Sequence, residues 1–278
     1  MITDMNILAF FAHPDDETML AGGTLALLAQ SGHQVHYLCA TRGEGGETGE
    51  PAICSPDELG GVRHKEMECA VAELGGASLT FLDYIDPRVG SENSLYPYTE
   101  DLVNLADQVK AHIHRVGAEA VFTHGSSGEY GHPAHVITHR AARLAVENME
   151  SAAPSQYSVS ASFPGHPKPR ITNKDEPAHL IIDITPVLKI KTESALCHRT
   201  QHALFVRRSS LAAGRQMTVP EVIINMESLH RKLPALDSSD EDNIFAILAP
   251  WQVQPTSRGS KRNQLTQEPN NLYQTDFN

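Results

Sequence analysis

Apolar residues along this chain gather in short continuous runs separated by segments of longer period. The runs at 7–12, 35–40, 79–82, 120–123 and 180–184 have the length of strands covered on both faces. Helical spacing fills the first three intervals and begins the fourth, over 23–31, 59–74, 101–116 and 136–146. The first three of these helices stop at Gly32, Gly75 and Gly117, residues that take the left-handed conformation of a helix end without strain. Alternation of this kind predicts an α/β fold: a Rossmann-like, doubly wound sheet, mostly parallel, with helices on both faces.

Two stretches break the alternation. Residues 43–59, rich in Gly, Glu and Pro, read as a loop at the ligand-bearing edge, and the proline-rich stretch 151–178 reads as irregular or edge strand. Further on, the pattern predicts helices over 185–201, over 220–233 with Pro220 in the first turn, and over 243–248, with a polar turn at 238–242. The organisation expected is one domain over 1–250 followed by a polar C-terminal tail, 251–278.

Composition narrows the function. A length of 278 residues with 40% hydrophobic content buries a sizeable single core. The net charge of −12, from 34 acidic and 22 basic residues, argues against nucleic acid or an anionic membrane as partner and leaves a small molecule. No apolar stretch approaches the roughly 20 residues needed to span a bilayer. Cys39, Cys54, Cys69 and Cys197 lack C-x-x-C spacing, so no disulfide framework is expected and the cytoplasm is the expected compartment. A homo-oligomer stays open.

The candidate chemistry sits at two strand ends. The first run leads into His13-Pro14-Asp15-Asp16-Glu17. One carboxylate there would serve as an ordinary helix cap, but capping does not account for a His beside two like charges. The run at 120–123 leads into Gly128-Glu129-Tyr130-Gly131-His132-Pro133-Ala134-His135 and then a helix. Both turns fall on one edge of a parallel sheet, where His13, Asp16 and one or both of His132 and His135 would converge on a cation.

These motifs, with Gly22-Gly23-Thr24, Thr41-Arg42-Gly43-Glu44-Gly45-Gly46-Glu47, Arg63-His64-Lys65-Glu66 and His198-Arg199-Thr200-Gln201, resemble the PIG-L/LmbE-like family of zinc-dependent de-N-acetylases. The resemblance spans residues 6 to about 205. It implies a hydrolase that removes acetyl from N-acetylglucosamine-type conjugates, with His13, Asp16 and His135 holding Zn(II). The N/O donor set also admits Fe(II), Co(II) or Mn(II). Asp15 is then the candidate general base, His132 an imidazolium stabilising the oxyanion, and Tyr130 a second donor. Arg42, Glu47, Arg63 and His198 are candidate substrate-binding residues. The family usually has Asp where this chain has Ala134, which bears on how the neighbouring imidazole is tuned.

Two alternatives stand beside a deacetylase: an amidase on thiol-sugar conjugates, and a non-catalytic Rossmann-like sugar- or nucleotide-binding module. Against the latter, Gly22-Gly23 lacks G-x-G-x-x-G spacing, and Ala40-Thr41-Arg42 puts no acid at the end of the second strand.

Overall fold

A computed structural model of the chain describes residues 4–149, 152–236 and 242–254. In chain order they form β1 (Asn6–Phe11), α1 (Asp16–Gln30), β2 (Gln34–Thr41), α2 (Leu59–Glu73), β3 (Ser78–Tyr84), α3 (Leu102–Val116) and β4 (Ala120–Thr123). A four-residue turn, α4 (Gly128–Gly131), precedes α5 (Pro133–Glu147), and β5 (Ser155–Val159), β6 (Ala161–Ser162), β7 (Asn173–Pro177) and β8 (Leu180–Asp183) follow. The last described elements are α6 (Leu188–Cys197), α7 (His202–Ala213), α8 (Val219–Val222), β9 (Met226–Leu233) and α9 (Asn243–Leu248).

The main sheet runs β3-β2-β1-β4-β5-β9-β8, parallel from β3 through β5 and antiparallel at β9 and β8. Strand β1 is apolar throughout because both its faces are covered. Ile7, Ala9 and Phe11 enter a core shared with α1, α2 and α9, whereas Leu8 and Phe10 enter a second core with α3 and α5. Strand order reverses at β1, which lies between β2 and β4, so the carboxyl ends of β1 and β4 flank the crevice where such sheets bind ligands.

The sheet is the one expected, with corrections at its far side. Residues 220–233 are not a helix: only Val219–Val222 is helical, and Met226–Leu233 is the antiparallel strand β9. The run near 180 is an edge strand paired with β9, and β5 from the proline-rich stretch is the strand beside β4. The helix expected over 185–201 ends at Cys197, and α7 follows a 3-10 turn. The turn expected at 238–242, apart from Asp242, and the tail from residue 255 lie outside the described residues.

Cys69 on α2 and Cys197 on α6 form a disulfide, contrary to the expectation of none. Those helices pack side by side although 128 residues separate the cysteines, a proximity that no local spacing encodes. A buried ion pair ties the late segments to α1: Glu227 on β9 accepts from Lys191 Nζ at 2.7 Å and from the Gly23 and Thr24 amides at 2.8 and 2.7 Å. Gly23 is glycine because a Cβ there would run into the Ile184 side chain. Among the described residues no helix is long and apolar enough to cross a membrane.

Candidate metal centre

Strand β1 delivers His13 and, after Pro14, a sharp turn in which Asp15 takes φ 106° and ψ −28°. That left-handed conformation is uncommon for a residue with a side chain. Asp16 then opens α1. Across the crevice β4 ends at Thr123, followed by His124, and the turn through Glu129 (φ 59°, ψ −72°) brings the chain to His132. His132 caps α5, with Pro133 in its first turn and His135 on its buried face.

Hydrogen bonds to the rings fix which nitrogens keep a lone pair. Glu129 is buried, with its carboxyl held well below the usual range because contacts from His124 and His135 outweigh the upward effect of burial. An ionised carboxylate only accepts, so the Nδ1–H of His135 donates to Glu129 Oε2 at 2.6 Å and leaves Nε2 unprotonated in the neutral ring. Burial lowers the pKa of His135 and keeps that ring neutral. Its Nε2 faces Asp16 Oδ1 at 3.4 Å. On the other side His13 Nε2 lies 3.2 Å from Asp86 Oδ1, which directs Nδ1 toward Asp16 Oδ2 at 3.3 Å. Burial opposes charge on His13, but Asp86 and Asp16 outweigh it and lift its pKa to about 10, so this point in the pocket draws positive charge.

The two remaining imidazoles have their lone pairs committed elsewhere. His124 Nδ1 donates to Glu129 at 3.0 Å and its Nε2 accepts the Ala12 amide at 3.1 Å. His132 Nδ1 accepts the Ala134 amide at 3.2 Å, so the neutral ring carries its proton on Nε2. Two groupings are close enough to share an ion, His13–His132–His135 and Asp16–His124–His135; His135 is common to both, and His13 Nδ1 lies 3.3 Å from Asp16 Oδ2, which links the two. Two nitrogens and a carboxylate fit a divalent ion that keeps positions for water and substrate.

Asp15 lies beside this trio. Arg63, buried on α2, donates to its Oδ2 at 3.1 Å and also to the carbonyls of Pro14 and Gly43. Burial raises the pKa of Asp15 to about 7 against the opposing pull of Arg63. The Asp15 amide is in turn fixed by Glu17 Oε2 at 2.9 Å.

The other expected site residues divide. Tyr130 remains 55% exposed, its ring 5.7 Å from His132 and 5.6 Å from His135, at the mouth of the crevice. Arg63 is brought to the centre but through Asp15. Arg42 instead stacks over Phe81 and pairs with Asp83 at 2.6 Å, Glu47 forms a bidentate pair with Arg207 at 2.7 Å, and His198 is fully buried against Glu17 Oε1 at 2.8 Å. Each of these three is engaged in a pair of its own. Burial, with the His135 and His13 rings, pushes the pKa of His132 down to about 2, which disfavours the imidazolium form expected there. The sequence reading passed over His124, Glu129, Asp86 and Asn173.

A family model described as GlcNAc-PI de-N-acetylase, PIG-L, matches residues 8–146, which include the whole cluster. The chain belongs to the PIG-L family. Among its relatives, a 1D-myo-inositol 2-acetamido-2-deoxy-alpha-D-glucopyranoside deacetylase of Mycobacteroides abscessus is 28% identical over 275 residues, covering 88% of this chain and 99% of that one. An enzyme of the same name from Rhodococcus erythropolis is 35% identical over 160 residues, 53% of this chain and 54% of that one. The PIG-L fold is matched by the N,N'-diacetylchitobiose deacetylase of Pyrococcus horikoshii, with TM-score 0.59 and 20% identity over 82% of this chain and 84% of that one. It is also matched by a 4-carboxy-2-hydroxymuconate hydratase of Pseudomonas putida, with TM-score 0.57 and 21% identity over 85% and 100%. At these identities the solved structures speak to the fold alone.

Proposed function

We propose that this PIG-L protein is a metal-dependent amidohydrolase that removes the N-acetyl group from an N-acetylglucosamine-type conjugate, the substrate class in the names of its mycobacterial and rhodococcal relatives. The observation that carries the reading is the unprotonated Nε2 of His135 facing Asp16 Oδ1 at 3.4 Å, beside the raised carboxyl of Asp15. His13, Asp16 and His135 would hold the ion. A divalent cation there supplies Lewis acidity, lowering the pKa of water from 15.7 toward about 7 and polarising the amide carbonyl. Zinc suits the N/O donor set, and Fe(II), Co(II) and Mn(II) suit it as well.

The remaining chemistry belongs to the chain. Asp15, with a pKa of about 7, takes a proton from the attacking water as its oxygen bonds to the acetyl carbon. The same carboxyl returns that proton to the sugar nitrogen as the C–N bond breaks, so the products are acetate and the free amine. Arg63 holds Asp15 on the reacting side. His132 donates its Nε2–H to the oxygen that gains charge, a task a neutral imidazole performs at any pH above its own low pKa. Tyr130, half exposed at the mouth, offers a further hydroxyl donor.

The test is acetate release from N-acetylglucosaminyl inositol and a panel of related N-acetylglucosaminides, with Asp15→Asn as control. Release by the wild type and none by the variant supports the reading. No release from any member by metal-loaded wild type overturns it.

A further inference from the structure

Glu129 takes no part in the hydrolysis described above, yet it is among the most constrained residues in the molecule. It is 4% exposed and receives four N–H groups. The Nδ1–H groups of His135 and His124 meet Oε2 at 2.6 and 3.0 Å, and the Gly125 amide and Asn173 Nδ2 meet Oε1, each at 3.0 Å. Its backbone, at φ 59° and ψ −72°, occupies a region unfavourable for a residue with a side chain, which persists only where the surroundings enforce it.

Asn173, from β7, does the enforcing. Its Oδ1 accepts the Glu129 amide at 3.0 Å and the Ser127 hydroxyl at 2.9 Å, while its Nδ2 also donates to the Val159 carbonyl at 2.9 Å. Gly125 lets this side chain close in, since a Cβ at that position would coincide with the Asn173 amide. A strained residue held this firmly, with one carboxylate oxygen shared between two imidazoles, is arranged to orient those rings.

We infer that Glu129, pinned by Asn173, is a positioning residue that holds His135 in the Nδ1–H tautomer and so aims its Nε2 lone pair at the cation shared with Asp16. The same oxygen orients His124, whose Nε2 accepts the Ala12 amide immediately before His13. Glu129 thereby ties the second motif to the first. The inference rests on reading this cluster as a metal centre and does not depend on the substrate.

Glu129→Gln tests it. An amide has a single acceptor oxygen, so in either orientation its NH2 confronts N–H donors, those of the histidines or those of Gly125 and Asn173. Two quantities are measured: affinity for Zn2+ alone, by competition with a chromogenic chelator, and the His135 ring nitrogen chemical shifts of metal-free protein. The expected result is a loss of affinity of about 10–100-fold and departure of His135 from the Nδ1–H tautomer, with far-UV circular dichroism unchanged. Should that variant fail to fold, Asn173→Ala, which keeps the carboxylate but removes its anchor, is read by the same two measurements. A folded variant with wild-type Zn2+ affinity and an unmoved His135 tautomer overturns the inference. Wild-type protein with no affinity for Zn2+ overturns the metal-centre reading itself, which separates the two failures.

Discussion

Nε2 of His135 lies 3.4 Å from Oδ1 of Asp16, while Nδ1 of the same ring lies 2.6 Å from the Glu129 carboxylate. Two electron-rich atoms at that distance in a buried site repel each other unless a cation stands between them. The Glu129 contact at Nδ1 of His135 thus leaves Nε2 and the Asp16 carboxylate as the pair that a cation would bridge.

Metal removal is expected to abolish turnover reversibly. Dialysis against a strong chelator should reduce acetate release to background, and adding back one equivalent of Zn(II), Co(II), Fe(II) or Mn(II) should restore it to differing extents. Full activity in protein shown free of metal by elemental analysis would contradict this outcome.

Asp15→Asn is expected to lower kcat by about 10²–10⁴-fold, the usual worth of a positioned general base. Metal content should stay unchanged, because the side chain of Asp15 is engaged with Arg63. Measuring both on one preparation distinguishes a lost base from a lost ion.

His132→Ala is expected to cost about 10²–10³ in kcat by removing an oxyanion donor, again with the metal retained. His132→Gln, whose amide keeps an N–H, should recover part of that loss. If the role depended on a charged imidazolium, Gln would restore nothing.

What the sequence revealed and what it hid follow from how locally each feature is encoded. His13 and Asp16 follow directly on β1, and His132 and His135 open the helix that comes after β4, so strand pattern and motif together pointed to them. His124 looks like the last residue of β4, Asp86 follows β3 in a loop, and Asn173 lies 44 residues beyond Glu129; only the tertiary fold unites them. Strand β5 was obscured because its buried positions include Gln156 and Ser158, which break the apolar run. Strand β9 was mistaken for a helix because Leu229 and Leu233 are four apart, while its buried Glu227 reads as polar until Lys191 is seen beside it.

That Lys191–Glu227 pair is expected to matter for stability. Both side chains are nearly inaccessible, and removing one partner leaves a buried charge unmatched. Lys191→Met should destabilise the fold by about 3–5 kcal/mol, and the double variant Lys191→Met/Glu227→Gln by markedly less. Urea unfolding of the wild type, Lys191→Met, Glu227→Gln and the double variant reads this directly, and additive losses would mean that the pair is not coupled.

The stability of the protein should fall on the acid side for a reason unrelated to the active site. His112 on α3 is buried, and Arg115 Nη2 donates to its Nδ1 at 3.0 Å, a bond that needs the neutral ring. Burial first, then Arg115 and His36, lower its pKa to about 4, whereas the unfolded chain titrates near 6.5. Between those values the unfolded state binds the extra proton, so this contribution is complete above about pH 6.5 and is lost as pH falls through about 4. His112→Leu removes the titrating group while filling much of the same space. The urea midpoint of the variant should therefore fall less steeply than that of the wild type between pH 6.5 and 4, and two parallel curves would mean that the His112 ring is not held neutral in the folded state.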